Sequence, residues 1–326
     1  MSPVRTTFAL AALCLVLAGA SLFVGHGDLG DPALRDTFLE LRAWRAAAAL
    51  LSGAALAVAG VLVQGCFHNP LASPDVLGTT AGATLGGQAA LRGWGLLSAR
   101  AAEAGLAPDL VVPLGSLAGA SVALALVSAA ARWVRDPLGL LLTGILVSTV
   151  AVSFGGLLSS LAMESWEVGR ALLAFTLGGV DGAGAGRVLA AAPWLLGGLL
   201  AAWSLARPLD VLLSGDEEAH ALGVDVRRTR RWAVAWVAAL AAAATFVGGQ
   251  VPFVGLVVPH VVRRWTGSAH ARLIPAAALG GAAFVLACDI AVRLVPARGA
   301  VPLGAVTGLV GAPVFVMLLA RRGRSA

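Results

Sequence analysis

No lysine occurs anywhere in the 326 residues, and all 23 basic residues are arginine. The phosphate-gripping loop GxxxxGK(S/T) is therefore missing, so any ATP this chain depends on must be handled by a partner. Charge is scarce too, at 12% of residues against 59% hydrophobic and a mean hydropathy of +0.88. A soluble domain carries roughly a quarter charged residues; that class is excluded, and the excess apolar surface needs lipid as its solvent. Cysteine is limited to Cys14, Cys66 and Cys288, far apart and with no CxxC pair. They are expected to act as small apolar packing residues. The histidines, His26, His68, His220, His260 and His270, show no HExxH or similar spacing, so no metal site is expected. Gly182 to Gly186, GAGAG, is no dinucleotide fingerprint and reads as a loop outside the membrane.

What is present is a series of apolar runs. A bilayer core needs about 20 residues per helix, and candidate spans lie near 7–25, 46–66, 76–92, 110–131, 138–162, 188–206, 231–249, 251–265, 274–295 and 303–320. The expected fold is all-α: one polytopic transmembrane bundle of about ten helices filling 1–326. The first run reads as an uncleaved helix, not a signal peptide, because longer runs follow it. The eighth is short and holds Pro252 and Pro259; a broken helix buried among neighbours is expected there. With the N-terminus inside, fourteen arginines fall on cytoplasmic loops and nine on the other side. Both termini are therefore expected in the cytoplasm, and the net charge of +6 reports cytoplasmic loops, with no nucleic-acid partner.

Forty-one glycines include GxxxG spacings at Gly82/Gly86, Gly115/Gly119 and Gly304/Gly308. Close helix packing within one subunit is the expected use, ahead of a dimer contact. Gly60 to Gly82 and Gly255 to Gly281 each run from an apolar helix through a polar, proline-containing turn into a glycine-rich helix. Were they equivalent, the chain would be two five-helix halves in inverted orientation.

Three polar features interrupt the apolar pattern. The loop at about 207–231, RPLDVLLSGDEEAHALGVDVRRTRR, has the length and charge of a short helical hairpin on the cytoplasmic surface. Within it Glu217, Glu218 and Ala219 followed by Gly223 match an EAAxxxG spacing; a plain solvated loop with acids before bases reads equally well. At the opposite end, Arg42 and Arg45 open the second span and share one helical turn. Asp289 and Arg293 stand at i,i+4 near the outer end of the ninth. Ionisable groups in apolar helices are costly and usually paired or functional. Simple pairing of Arg293 with Asp289, and snorkelling of Arg42 and Arg45, compete with a shared role: three arginines offering bidentate bonds to a soluble partner's carboxylates.

Four strings then combine. QGCFHNPLASPDVLGTTAG from Gln64, the Glu217 loop, FVGLVVPHVVRRW from Phe253 and VPLGAVTGLVGAPVF from Val301 fall in the order and at the separations of the FecCD family of ABC permeases. The chain resembles that family from about Leu41 to Leu319. The resemblance implies a ten-helix subunit that pairs with a second permease subunit, the pathway running between them in the bacterial inner membrane. Two cytoplasmic ATP-binding subunits would lie below, holding the ATP and Mg, and a periplasmic substrate-binding protein above; this chain would bind no cofactor and catalyse no reaction. It implies ATPase coupling for Glu217, Glu218, Ala219 and Gly223, binding-protein docking for Arg42, Arg45 and Arg293, and a structural or gating motif of Gln64, Asn69, Pro70, Pro259 and His260. Three positions depart from the family pattern: Ala43-Trp44-Arg45 has no proline where LPR is usual, Gln250 replaces an expected proline, and Ala300 stands for a common acid. The first and third bear on the shape of the outer docking surface.

The cargo implied is a metal chelate, foremost a ferric siderophore, with cobalamin and haem as alternatives within the family. A secondary transporter driven by an ion gradient is the alternative of another class; the only acid deep in a span is Asp289. A membrane enzyme would need a cluster of nucleophile, base or metal ligands that the sequence does not offer.

Overall fold

The computed structural model describes residues 3–25, 30–103, 108–130, 133, 137–162, 175–295 and 301–322. Twelve helices are described: α1 Pro3–Phe23, α2 Arg35–Cys66, α3 Thr79–Glu103, α4 Pro108–Ala130, α5 Pro137–Ala162, α6 Ala185–Ser204, α7 Ala206–Leu212, α8 Asp216–Ala221, α9 Val226–Gly248, α10 Val254–Thr266, α11 His270–Leu294 and α12 Leu303–Arg322. Each of the ten expected spans falls on one of these, and α7 and α8 are the two extra, short helices of the 207–231 loop. Seven of the helices are long and apolar enough to cross a membrane. The other three are α3, which carries Gln88 and Arg92 inside its length, the 13-residue α10, and α12, whose apolar part runs Leu303–Met317.

Burial sorts the helices into a hub and a rim. The apolar window of α2 is 78% buried, that of α9 72% and that of α11 61%, whereas those of α1 and α5 are each 17% buried. An apolar helix with so little cover faces lipid or another subunit. The hub is alanine- and glycine-rich because small residues let backbones approach where lipid supplies no hydrophobic drive.

Two GxxxG pairs do this together. Gly82 and Gly86 on α3 lie against Gly119 and Gly115 on α4, each facing the other's backbone carbonyl, so both motifs serve one contact inside the subunit. In the hub, Gly53 meets Gly281 and Gly60 meets Gly255. The second contact has a chemical cause. Pro259 has no N–H to give the carbonyl four residues earlier in α10, which is that of Gly255, and this carbonyl rests on Gly60.

α10 opens after Phe253, held in the left-handed region at φ 67°, and closes at Gly267, φ 82°. It is too short to span the membrane alone, in line with the broken helix expected at 251–265. The two stretches compared in the sequence differ in their turns. Residues 67–78 connect α2 to α3, but only 267–269 connect α10 to α11, and the stretches pack against each other where Gly255 meets Gly60 and Pro74.

Candidate functional site

The two groups of candidate residues sit at opposite ends of α2. From Arg45 to Cys66 the helix rises about 31 Å at ~1.5 Å per residue, close to the thickness of a hydrocarbon core.

At the first end, Asp289 is the centre. Its carboxylate, fully buried, takes Arg45 Nη2 at 2.8 Å on Oδ1 and Arg293 Nη2 at 2.8 Å on Oδ2. Arg45 Nη1 reaches on to Asp181 at 2.6 Å. Arg293 Nη1 donates to the carbonyls of Ser21 and Val24, both at 2.8 Å, and Nη2 to the Ser21 hydroxyl at 2.5 Å. Arg42 donates to the carbonyls of Leu22 and Gly25 at 2.9 and 3.2 Å. These are the carbonyls at the C-terminus of α1, which lack intrahelical partners and attract cations. Arg42 and Arg293 are thus buried fasteners of α1, while the Arg45 side chain keeps 19% of its surface and Asp181 48%. The i,i+4 pairing of Arg293 with Asp289 holds, but Asp289 also serves Arg45. Asp181 and Ser21 escaped the sequence reading, since nothing in their local pattern marks a partner on a distant helix.

At the other end, Ala219 is fully buried and anchors α8, leaving Glu217 and Glu218 exposed. Gly223 stops the helix: its N–H donates to the His220 carbonyl at 3.0 Å and that of Val224 to the Ala219 carbonyl at 2.9 Å. This is the Schellman pattern, and it needs the left-handed φ of 82° that glycine adopts without strain. Asp225 caps α9 by accepting from the Arg228 N–H at 2.9 Å. Arg230 grips Asp216 with two bonds of 2.8 Å and donates from Nε to the Cys66 carbonyl at 3.2 Å. The small hairpin is thereby tied to the last turn of α2. Asp210 of α7 accepts from the backbone N–H of His270 at 2.9 Å and meets its Nδ1 at 2.6 Å, which ties the hairpin to α11 as well.

The motif residues connect the same helices. Gln64 is buried; its Oε1 accepts from Arg263 at 3.0 Å and its Nε2 donates to the Leu256 carbonyl at 3.4 Å, joining α2 to α10. Asn69 Oδ1 accepts from the Leu71 N–H at 2.9 Å, an Asx turn around Pro70. Pro259 is buried in α10 and His260 beside it is half-buried. Asp75, in the same turn as Asn69, has its carboxyl pushed up by burial. Among the described residues no group of three or more His, Cys, Asp or Glu could hold a metal ion.

The FecCD transport family matches residues 6–321. The chain belongs to this family. It is 38% identical over 283 residues to the Fe(3+) dicitrate transport system permease FecD of Escherichia coli K12, covering 87% of this chain and 85% of that one. It is 33% identical to the hemin transport system permease HmuU of Yersinia pestis, over 96% of this chain and 94% of that one. It is 32% identical to the vitamin B12 import system permease BtuC of E. coli O157:H7, over 97% and 93%. A metal-chelate-type ABC transporter solved in an inward-facing conformation superimposes with a TM-score of 0.81 at 27% identity, covering 98% of this chain and 99% of that one. This FecCD protein is therefore a multi-span membrane protein of a transport family, and its helical bundle is that of an ABC permease.

Proposed function

We propose that the chain is the permease subunit of an ATP-driven importer that carries a ferric siderophore through the bacterial inner membrane. It works as one of two permease subunits, with two cytoplasmic ATPases and a periplasmic binding protein. The observation that carries this reading is the build of α2: one buried helix ends in the Asp289 arginine cluster on one side and in the Arg230-held hairpin on the other. The exposed Glu217 and Glu218 offer the ATPase a handle, and Asp216–Arg230–Cys66 passes its movement to α2. On the outer side, Arg45 is the arginine with surface to spare, and a partner's carboxylate would share it with Asp181. ATP binding biases two arrangements of the bundle by its different affinity for each.

Uptake into proteoliposomes tests the cargo. With the cognate ATPase and binding protein, a ferric siderophore is expected to accumulate in an ATP-dependent way, at least tenfold above cobalamin and haem. Preference for either of those two would replace the siderophore, and uptake driven by an ion gradient without ATP would move the protein to another class. Orientation has its own check. All three native cysteines are buried, so Glu217→Cys offers a selective thiol, and an impermeant maleimide is expected to label it only in inverted vesicles. Labelling in right-side-out cells would reverse the topology.

A further inference from the structure

Where α6 ends and α9 begins, tryptophan and arginine lie in successive layers. The two helices run side by side in opposite directions: a Cβ on Gly197 would stand 3.4 Å from the Trp236 ring, and one on Gly198 2.5 Å from the Leu240 side chain. Counting ~1.5 Å per residue toward the hairpin, Trp203 lies roughly 9 Å beyond Gly197, and Trp232 roughly 6 Å beyond Trp236. Both are exposed, at 61% and 53%. At the same rise, Arg207 on α7 and Arg227 and Arg228 on α9 form a second layer about 12–15 Å from that contact, with Arg231 between the layers. All four arginines are exposed. The chain passes from α6 into α7 with little break, because the Leu205 N–H donates to the Ala201 carbonyl at 3.1 Å and the Leu205 carbonyl accepts from Leu209 at 2.9 Å. Leu196, Leu200, Trp203 and Arg207 thus fall at i, i+4, i+7 and i+11 on one outward stripe that is apolar, then aromatic, then cationic. On α9, Arg228 and Trp232 stand one turn apart in the matching order.

An exposed tryptophan on an apolar stripe marks the level where acyl chains give way to headgroups, its ring in the apolar side and its N–H in the polar one. Arginine one turn farther out stands at the depth of the phosphates, which a planar guanidinium grips with two bonds. Two helices report this depth independently. Four cations gathered there repel one another, and an anion among them relieves the repulsion. We infer that the α6–α9 end is a binding site for an anionic phospholipid, its phosphate held by Arg207 and Arg228 and its acyl chains lying along Leu196, Leu200 and Trp203. The headgroup class follows from the charge. A choline headgroup brings its own cation among the four arginines, whereas phosphatidylglycerol brings only the phosphate charge. The site lies at the base of the hairpin. Arg207 belongs to α7, whose Asp210 holds His270 on α11, so the bound lipid braces the hairpin against the bundle. The importer reading enters only in naming the leaflet, which it makes the cytoplasmic one.

Native mass spectrometry of the purified permease tests the site without any assumption about cargo or ATPase. Phosphatidylglycerol and phosphatidylcholine of the same chain length are added in equal amounts, with and without inorganic phosphate. Wild type is compared with Arg207→Gln/Arg228→Gln and with Arg35→Gln, an exposed arginine at the other end of α2. Every substituted side chain is exposed, so the fold stands in each variant. Wild type is expected to retain phosphatidylglycerol at least tenfold over phosphatidylcholine. The double variant should lose that preference by tenfold or more, and Arg35→Gln should keep it. Equal retention of the two lipids by wild type, or an unchanged preference in the double variant, overturns the site and leaves the importer standing. Full displacement of the lipid by inorganic phosphate assigns the arginines to a free anion and overturns it too. So does a double variant that keeps the lipid but no longer assembles with the ATPase, since the arginines would then belong to that partner.

Discussion

Gly60→Val is expected to abolish recovery of folded protein from membranes. A Cβ at residue 60 would overlap the Gly255 carbonyl, and neither backbone can yield, because α2 is the most buried span in the bundle. Overpacking a tight core commonly costs about 1–3 kcal/mol, and this site lies at the upper end or beyond, since the obstacle is main chain and not a rotatable side chain. The carbonyl is there because Pro259 leaves it without a helical donor, so the glycine and the proline act as a pair across two helices. Gly93→Ala is the matched control. Its added Cβ meets nothing within 4 Å, and alanine favours the helix by up to about 1 kcal/mol. Yield after detergent extraction and the thermal midpoint separate the two: loss for Gly60→Val, no loss for Gly93→Ala. Equal behaviour would mean that the α2–α10 approach is looser than described.

Asp289→Ala is the second large effect. It leaves Arg45 and Arg293, at the end of α2 away from the hairpin, without their shared carboxylate, and the Arg293 side chain is 4% exposed. Removing one partner of a buried ion pair costs about 3–5 kcal/mol, whereas replacing both partners by apolar groups is often nearly neutral. The thermal midpoint should therefore fall sharply in Asp289→Ala and recover in part in Asp289→Ala/Arg293→Met, with Arg45 still held by Asp181. Additive losses in the double variant would show that Arg293 matters through α1 alone.

The helices and the local motifs could be read from the sequence because their signals are local. Apolar runs of about 20 residues located the spans, GxxxG spacing marked the α3–α4 contact, and the acid–glycine spacing of 217–223 marked the hairpin. The contacts that organise the sites were not legible, because they join residues distant in sequence. Gly53, Gly60, Gly255 and Gly281 stand in no GxxxG spacing, yet they set the hub. Asp181 reads as one acid in a glycine-rich loop until Arg45 is seen beside it. Arg230 is one of four arginines in a run, and only the fold shows that it holds both Asp216 and the Cys66 carbonyl. Gln88 passes for a stray polar residue in an apolar helix until α5 and Thr176 close around it.

ATPase activity in liposomes, measured with and without the binding protein, tests directly whether the two ends of α2 communicate. Wild type is compared with Glu217→Ala/Gly223→Pro and with Arg45→Ala/Asp181→Ala, which removes the partly exposed pair at the other end. Binding protein is expected to raise the wild-type rate severalfold, and each double variant to abolish the rise. Failure of the chain to form a complex with any ATPase, or an unchanged rise in both variants, would contradict the importer reading and its two docking ends.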